Sequence, residues 1–351
     1  MENKQKIVLT GDRPTGKLHL GHYVGSIQNR LKLQNESEVS FYMVADVQAL
    51  TDNADNPEKV RNNMLEVVLD NLACGVDANK TSIFIQSQVP QIAELTVFFM
   101  NLVTLQQLSH NPTIKTEAKE KGFNLNSKLE DEKIEDLSLK GIPMGFLNYP
   151  ISQAADILFC RANTVPVGID QMPVIEQTND IAKKFNATYG VDLFPKVTGV
   201  VGEIPRLVGI DGNAKMSKSL NNCIYLSDSD EEIKKKVMQA YTDPSHIKVT
   251  DPGKVEGNVV FTYLDVFDSD KEKVSELKNQ YQKGGLGDVV LKERLTKVLI
   301  EIISPIRTRR EELAKDKEAI FEIIKQGNKK ALEYGENTMR EVRKAMKIDY
   351  F

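Results

Sequence analysis

The sequence predicts an α/β protein, a parallel-sheet domain covered by helices and followed by an all-helical region. Three observations predict it. Residues 6–222 alternate short apolar runs with helical patterns. Glycine and proline break the first of these runs before a helical pattern begins. After Cys223 the strand-like runs cease and helical periodicity takes over. Strand–helix alternation implies parallel strands, because each helix returns the chain to the same end of the sheet. Ligands in such sheets bind at the C-terminal strand ends.

The elements follow in order. Ile7-Val8-Leu9 is an apolar run that Gly11, Pro14 and Gly16 interrupt. A helical pattern continues through Tyr23, Ile27 and Leu31. Residues 39–45 form a second strand. The next helix is well marked, with Asn56 as N-cap, Pro57 at its first position and Gly75 closing it. Its buried face is Val60, Met64, Val67 and Val68. Residues 81–85 read as a third strand and 89–108 as one long helix. The apolar stretch 92–105 is too short to span a membrane and contains Glu94 and Asn101.

Residues 114–141 break the pattern. They are rich in Lys, Glu and Asp, lack apolar periodicity, and read as a mobile, solvated insertion. Regular elements resume at Tyr149, with a helix over 172–189. Beyond Cys223, Asp230 can cap a helix over 231–241. Leu291, Leu295, Val298, Leu299 and Ile302 mark another. Ser304-Pro305 reads as the start of a third, and 331–346 as the last. Two domains are expected, 1–222 and 223–351.

Composition agrees. The 351 residues are 40% hydrophobic and 27% charged, which suits a globular protein and excludes a disordered one. The length exceeds what one core usually serves. Cys74, Cys160 and Cys223 lie far apart with no Cys-x-x-Cys. No disulfide framework or structural metal is expected, and a reducing, cytoplasmic location fits. The chain enters its first strand at once, so no leader is expected. A net charge of −4 argues against a surface coated for nucleic acid. That sum hides a separation, because 226–270 is acidic and 271–351 is basic. Arg307, Arg309, Arg310, Lys329, Lys330, Arg343 and Lys344 lie in the final helices, where an RNA backbone would dock. A solvated helix face accounts for such charges equally well.

Two motifs carry chemistry. The first runs from Thr10 to His22, between the first strand and the first helix. Its glycines admit close backbone approach, and a helix N-terminus offers free N–H groups to anions. His19 and His22 are three apart on one face of a helical turn, so both can address one phosphate. The second is Lys215-Met216-Ser217-Lys218-Ser219, in a Gly/Asn/Ser-rich loop. Its lysines and hydroxyls suit a leaving polyphosphate.

His19-Leu20-Gly21-His22 with Lys215-Met216-Ser217-Lys218-Ser219 resembles the paired motifs of class I aminoacyl-tRNA synthetases, whose catalytic domain is Rossmann-like. Gly11-Asp12-Arg13-Pro14-Thr15-Gly16, Phe84-Ile85-Gln86-Ser87-Gln88-Val89-Pro90 and Ala154-Ala155-Asp156-Ile157-Leu158 resemble the tryptophanyl-tRNA synthetase family. So do Val165-Pro166-Val167-Gly168-Ile169-Asp170-Gln171, Tyr241-Thr242-Asp243-Pro244 and Gly284-Gly285-Leu286-Gly287-Asp288.

The resemblance implies activation of L-tryptophan by ATP with Mg²⁺, then transfer to tRNA(Trp). It also implies a homodimer and a helical anticodon-binding domain. It places Arg13, Pro14, Thr15, Gly21, His22, Gly168, Ile169, Asp170 and Leu207 at ATP, with Lys215, Met216, Ser217, Lys218 and Ser219 over its phosphates. Asp156 would accept the indole N–H, a donor with no acceptor of its own. Tyr149 and Gln171 fall near the α-amino group, and Leu9, Val165 and Val167 line an apolar slot. Gln153 stands at a pocket position where the family commonly has Met, and Lys115 is the nearest candidate for a further phosphate-binding lysine. Tyr149, Gln153 and Asp156 also resemble the pocket of the tyrosyl enzymes, which keeps tyrosine as an alternative. An RNA-binding homologue without charging activity is the other.

Overall fold

The computed structural model describes residues 5–120, 122–123, 142–202, 204, 207–213 and 216–351. The chain order begins with β1 (Ile7–Asp12) and α1 (Leu20–His22), a π-helical turn (Tyr23–Ile27) and α2 (Gln28–Glu36). β2 (Val39–Val44), α3 (Asp46–Leu50), α4 (Pro57–Cys74) and β3 (Thr81–Ile85) follow. Next come α5 (Gln91–Met100), α6 (Leu105–His110), α7 (Pro112–Glu120) and α8 (Met144–Leu158). β4 (Thr164–Val167), α9 (Met172–Tyr189) and β5 (Thr198–Val201) complete the sheet. The remainder is helical: α10 (Asp230–Met238), α11 (Val259–Phe267), α12 (Lys271–Lys283), α13 (Asp288–Leu313) and α14 (Lys317–Ala345).

The five strands form one parallel sheet in the order β3-β2-β1-β4-β5. The connection reverses direction between β1 and β4, so a crevice opens at their C-terminal ends. β2 is buried along its whole length, as expected for a strand covered on both faces.

Several expected elements differ. The single helix over 89–108 is two, α5 and α6. Thr104 restarts the chain through a capping box in which its hydroxyl accepts from Gln107 N at 3.2 Å and Gln107 Oε1 accepts from Thr104 N at 2.9 Å. The start of the charged insertion is ordered as α7, with Ile114 and Ala118 buried on one face and Phe123 packed edge-on against Phe146. Residue 121 and residues 124–141 of that insertion lie outside the described residues. α8 begins at Met144 rather than Tyr149 and carries Pro150 within it. Ser229, not Asp230, caps α10, paired with Glu232. Pro305 starts no helix, because α13 runs through it with Ile303 and Ile306 buried beside it. The last helix begins at Lys317, where the Asp316 carboxylate accepts from Ala319 N at 2.9 Å.

Two apolar cores flank the sheet, and both draw residues from either side of position 222. One joins Val67, Val68 and Ile83 to Leu295 and Ile320. The other joins Phe41 and Phe84 to Ala331, Met339 and Val342 of α14. α14 lies directly on β3. The Asn328 side chain accepts from Ile85 N at 2.9 Å, closing part of the sheet edge. Gly327 permits this approach, since a Cβ there would collide with the backbone of Ile83.

Three of the arginines expected to face RNA serve the fold. Arg310 reaches from α13 to Asp70, at 2.6 Å, and Glu66 on α4. Arg307 pairs with Asp230 at 2.7 Å, and Arg343 with Glu94 at 2.6 Å.

Gly327→Ala is expected to destabilise the protein by roughly 1–3 kcal/mol through overpacking, seen as a lowered urea midpoint. Gly25→Ala, where a Cβ meets nothing within 4 Å, is the control.

Candidate active site

The site is built from the C-terminal end of β1. Asp12 is anchored there by Arg30 Nη1 at 2.9 Å, Tyr42 Oη at 3.1 Å and Asn71 Nδ2 at 3.2 Å. Arg30 is only 1% exposed, also donates to Thr10 Oγ1, and lies over the Tyr42 ring. Burial opposes ionisation of Asp12, but the charge and hydrogen bond of Arg30 outweigh it and hold the carboxyl well below the usual range. The next residue, Arg13, turns outward and pairs with Asp52 at 2.7 Å.

The first histidine motif follows. His19 is the N-cap of α1, and its Nδ1 accepts from Gly21 N at 3.1 Å. His22 Nδ1 in turn accepts from His19 N at 3.3 Å. Both imidazoles therefore satisfy the helix N-terminus, with ring centroids 3.9 Å apart. The turn is stitched to the segment after the lysine loop, where Leu20 N donates to Ile224 O and Leu226 N to Leu18 O, each at 3.0 Å. Asp70 Oδ2 accepts from Leu18 N at 2.7 Å.

The second motif closes on the first. Lys218 Nζ donates to Gly16 O at 2.6 Å, and Met216 Sδ lies 3.3 Å from Gly21 N. Met216 N donates to Leu207 O, which places buried Leu207 beneath the loop. Burial pushes the Lys218 ammonium down to about 8, against the pull of Asp12 and Asp70. Ser217 N donates to Asn222 Oδ1 at 2.8 Å. Lys215 lies outside the described residues, as does the side chain of Ser219.

A cavity of about 360 Å³ opens at the ends of β1 and β4. Leu9, Arg13, Tyr149, Gln153, Asp156, Val165, Val167, Gly168 and Gln171, all expected from sequence, line it together. Tyr149, Gln153 and Asp156 are spaced i, i+4, i+7 on one face of α8. Pro14, Thr15, His19, Gly21, His22, Ile169, Asp170, Leu207, Met216, Ser217 and Lys218 do not line it. Ile169 and Asp170 are exposed beside Gly168, and Asp170 Oδ2 accepts from Gln171 Nε2 at 3.2 Å. Lys115 is exposed on α7.

Asp156 is buried, and its Oδ1 accepts from Gln86 Nε2 at 2.7 Å. Burial pushes its carboxyl up to about 7, the Gln86 hydrogen bond restrains the rise, and the Asp46 charge adds to it. Burial, then the charge of Glu117, raises the Tyr149 phenol well above its ordinary range. Gln153 Oε1 is buried with no hydrogen bond among the described residues.

Sequence reasoning assigned no role to Asp12, Arg30, Asn71 or Gln86. For Arg30 a signal existed, since it follows Ile27 by three and precedes Leu33 by three on a face that turns inward. For Gln86 the signal was only its place in the family-like stretch from Phe84 to Pro90, which named no role, because its partners Gln48 and Asp156 are distant in the chain.

Residues 1–304 match the family described as tRNA synthetases class I (W and Y). The chain is 53% identical over 350 residues to the tryptophan–tRNA ligase of Clostridium longisporum, covering 99% of this chain and 98% of that one. It is 52% identical over 350 residues to that of Lactococcus lactis, covering 98% of each. Among solved structures it is similar to tryptophanyl-tRNA synthetase from Campylobacter jejuni complexed with ADP and tryptophan. The TM-score is 0.80 at 29% identity, over 97% of this chain and 99% of that one.

The raised Asp156 pKa has a consequence for stability. A carboxyl whose folded pKa exceeds its unfolded value favours the fold in acid and loses that contribution as pH rises through about 7. Asp156→Asn is expected to melt higher than the parent above pH 7, with the difference vanishing toward pH 4. Thermal melts of the unliganded protein at both pH values check this.

Proposed function

The chain belongs to the class I tRNA synthetases that serve tryptophan and tyrosine, and from that membership we infer how its residues divide the work. It is a tryptophan–tRNA ligase in activity. It activates L-tryptophan with ATP to tryptophanyl-adenylate and pyrophosphate, then transfers the tryptophanyl group to the 3′ end of tRNA(Trp). The tyrosine alternative falls away, because the relatives at about half identity over the whole chain are tryptophan ligases.

The observation that carries the residue assignment is a buried carboxylate, Asp156, in a cavity that Leu9, Met43, Val165 and Val167 also line. A ring with one donor and no acceptor needs that arrangement. An analogue lacking the donor leaves the acceptor unpaired, which is a strong basis for rejection. Tyr149 and Gln171 would hold the α-amino group, and the Gln153 amide oxygen offers it a further acceptor. The substrate carboxylate would then point toward the mouth of the cavity.

ATP, entering with Mg²⁺, would lie along Arg13, Pro14 and Thr15, against Gly21 and His22. Its ribose would meet Gly168, Ile169 and Asp170, with the adenine near Leu207. The tryptophan carboxylate attacks the α-phosphorus in line and pyrophosphate leaves. That chemistry depends on positioning and charge stabilisation rather than on a protein nucleophile. Lys218 would leave the Gly16 carbonyl for the phosphates, whose negative charge would raise its pKa and keep it charged. Lys215, Met216, Ser217 and Ser219 would complete the loop's contacts. His19 and His22 would hand the α1 N–H groups from their own imidazoles to the anion.

Residues 1–222 would form the catalytic domain and 223–351 the helical anticodon-binding domain. Of the seven basic residues singled out in the final helices, Arg309, Lys329, Lys330 and Lys344 are the ones not found in the ion pairs described above. Exposed Val97, Met100 and Leu105 on α5 and α6 support a homodimer. No helix among the described residues is long and apolar enough to cross a membrane. A cytoplasmic location fits the reaction.

ATP–pyrophosphate exchange tests the assignment. Tryptophan should stimulate exchange and tyrosine should not. Asp156→Ala should weaken tryptophan binding by about 10- to 100-fold, the worth of a hydrogen bond to a charged group, and leave ATP binding intact. Unchanged tryptophan affinity would overturn the indole assignment. Lys218→Ala should slow activation by about 100-fold or more with tryptophan affinity preserved, and an unchanged rate would remove Lys218 from the phosphate site.

A further inference from the structure

We propose that Gln86 is a positioning residue for amino-acid specificity: it holds Asp156 as a pure hydrogen-bond acceptor and so favours an aromatic ring that can only donate. The proposal rests on the reading that Asp156 receives the indole N–H.

Gln86 is 2% exposed and begins the turn after β3. Its amide has one workable orientation. Oε1 accepts from Gln48 N at 3.0 Å, which leaves Nε2 to donate to Asp156 Oδ1 at 2.7 Å. A flipped amide would set its oxygen against the carboxylate and its NH₂ against the Gln48 N–H, losing both bonds. The Gln48 N–H is itself held in place. Asp46, at the start of the same helix, accepts from Val47 N at 3.0 Å and from Ser87 N at 2.9 Å. The two loops are thus laced in both directions, and Gln86 cannot swing away from Asp156 without unlacing them.

The chemistry turns on what Asp156 presents to the ligand. An ionised carboxylate accepts from an indole N–H and equally from a phenol O–H. A protonated acid presents its own O–H. A phenol oxygen can accept that proton in a hydrogen bond, whereas an indole N–H meets it donor against donor. Ionisation therefore admits tryptophan, and protonation erodes its advantage over a hydroxylated ring.

The surroundings mostly push toward protonation. Burial does so first, and Asp46 on α3 adds a like charge. Just past the end of its own helix lies Cys160, whose thiol burial keeps neutral. The other charged groups lining the cavity are Asp12, paired with Arg30, then Arg13 with Asp52, and Glu117 beside Tyr149. Gln86 is the group that donates to Asp156 and opposes the trend.

The test uses Gln86→Glu, which keeps an acceptor for Gln48 N but replaces the donor with a second carboxyl. Gln86→Met removes the donor without adding charge and carries the test alone if the first variant does not fold. The chain contains no tryptophan, so the emission of added L-tryptophan reports binding without a protein indole background. The parent should lose affinity as pH falls through about 7, the Asp156 midpoint. In Gln86→Glu that midpoint should move up by at least one pH unit, and affinity at pH 7 should fall about tenfold. The ratio of kcat/KM for tryptophan over tyrosine in ATP–pyrophosphate exchange should fall with it, while the KM for ATP stays unchanged. Gln86→Met should shift in the same direction by less. Folded variants with the parent's midpoint and ratio overturn the proposal. Asp156→Asn separates the two ideas. If it binds tryptophan as the parent does, the indole reading fails. If it loses binding while the Gln86 variants titrate as the parent, only the role of Gln86 fails.

Discussion

The buried pair of Arg30 and Asp12 is the constraint around which the site is arranged. Placing a guanidinium at 1% exposure beneath a sheet costs several kcal/mol of desolvation unless its partners are fixed. Here they come from three elements, Thr10 and Asp12 on β1, Tyr42 on β2 and Asn71 on α4, all meeting a side chain of α2. Such a network tolerates little slippage, because a displaced member leaves a buried charge unpaired. It therefore fixes where β1 ends and where the turn bearing Arg13 and the histidines begins. The cavity wall from Leu9 to Arg13 inherits that precision.

The helical half is part of the same construction. Arg310 reaches back to Asp70, and the other oxygen of that carboxylate holds Leu18 N, next to His19. One buried carboxylate thus touches both α13 and the histidine turn. Arg343 ties α14 to α5 in the same manner. Local charge density therefore misstates the surface available to RNA, since arginines that look like a docking patch in the sequence are committed to internal pairs.

Legibility followed the range of the interactions. α4 was plain from Asn56, Pro57 and Gly75, because caps and stops act within one turn. Pro305 misled for the opposite reason, since burial of Ile303 and Ile306 overrides a local stop signal. α7 escaped notice because Ile114 and Ala118 are too few to establish a period. The residues facing the cavity from α8 were readable through the family resemblance and their shared helical face. The closure of Lys218 on Gly16 spans 202 residues of the chain, and nothing local encodes it. The role of Gln86 was hidden for the same reason, since its partners lie far away in the chain.

The seat of α14 on β3 also bears on how the protein is made. Gly327 and Asn328 close the sheet's edge, and Ala331, Met339 and Val342 complete the core that holds Phe41 and Phe84. Those strands leave the ribosome more than two hundred residues ahead of the helix that covers them. The nascent chain must carry an unfinished apolar face until that helix has emerged. Maturation of the sheet is thereby coupled to synthesis of α14, and a product terminated before it is left with a sticky, uncapped sheet.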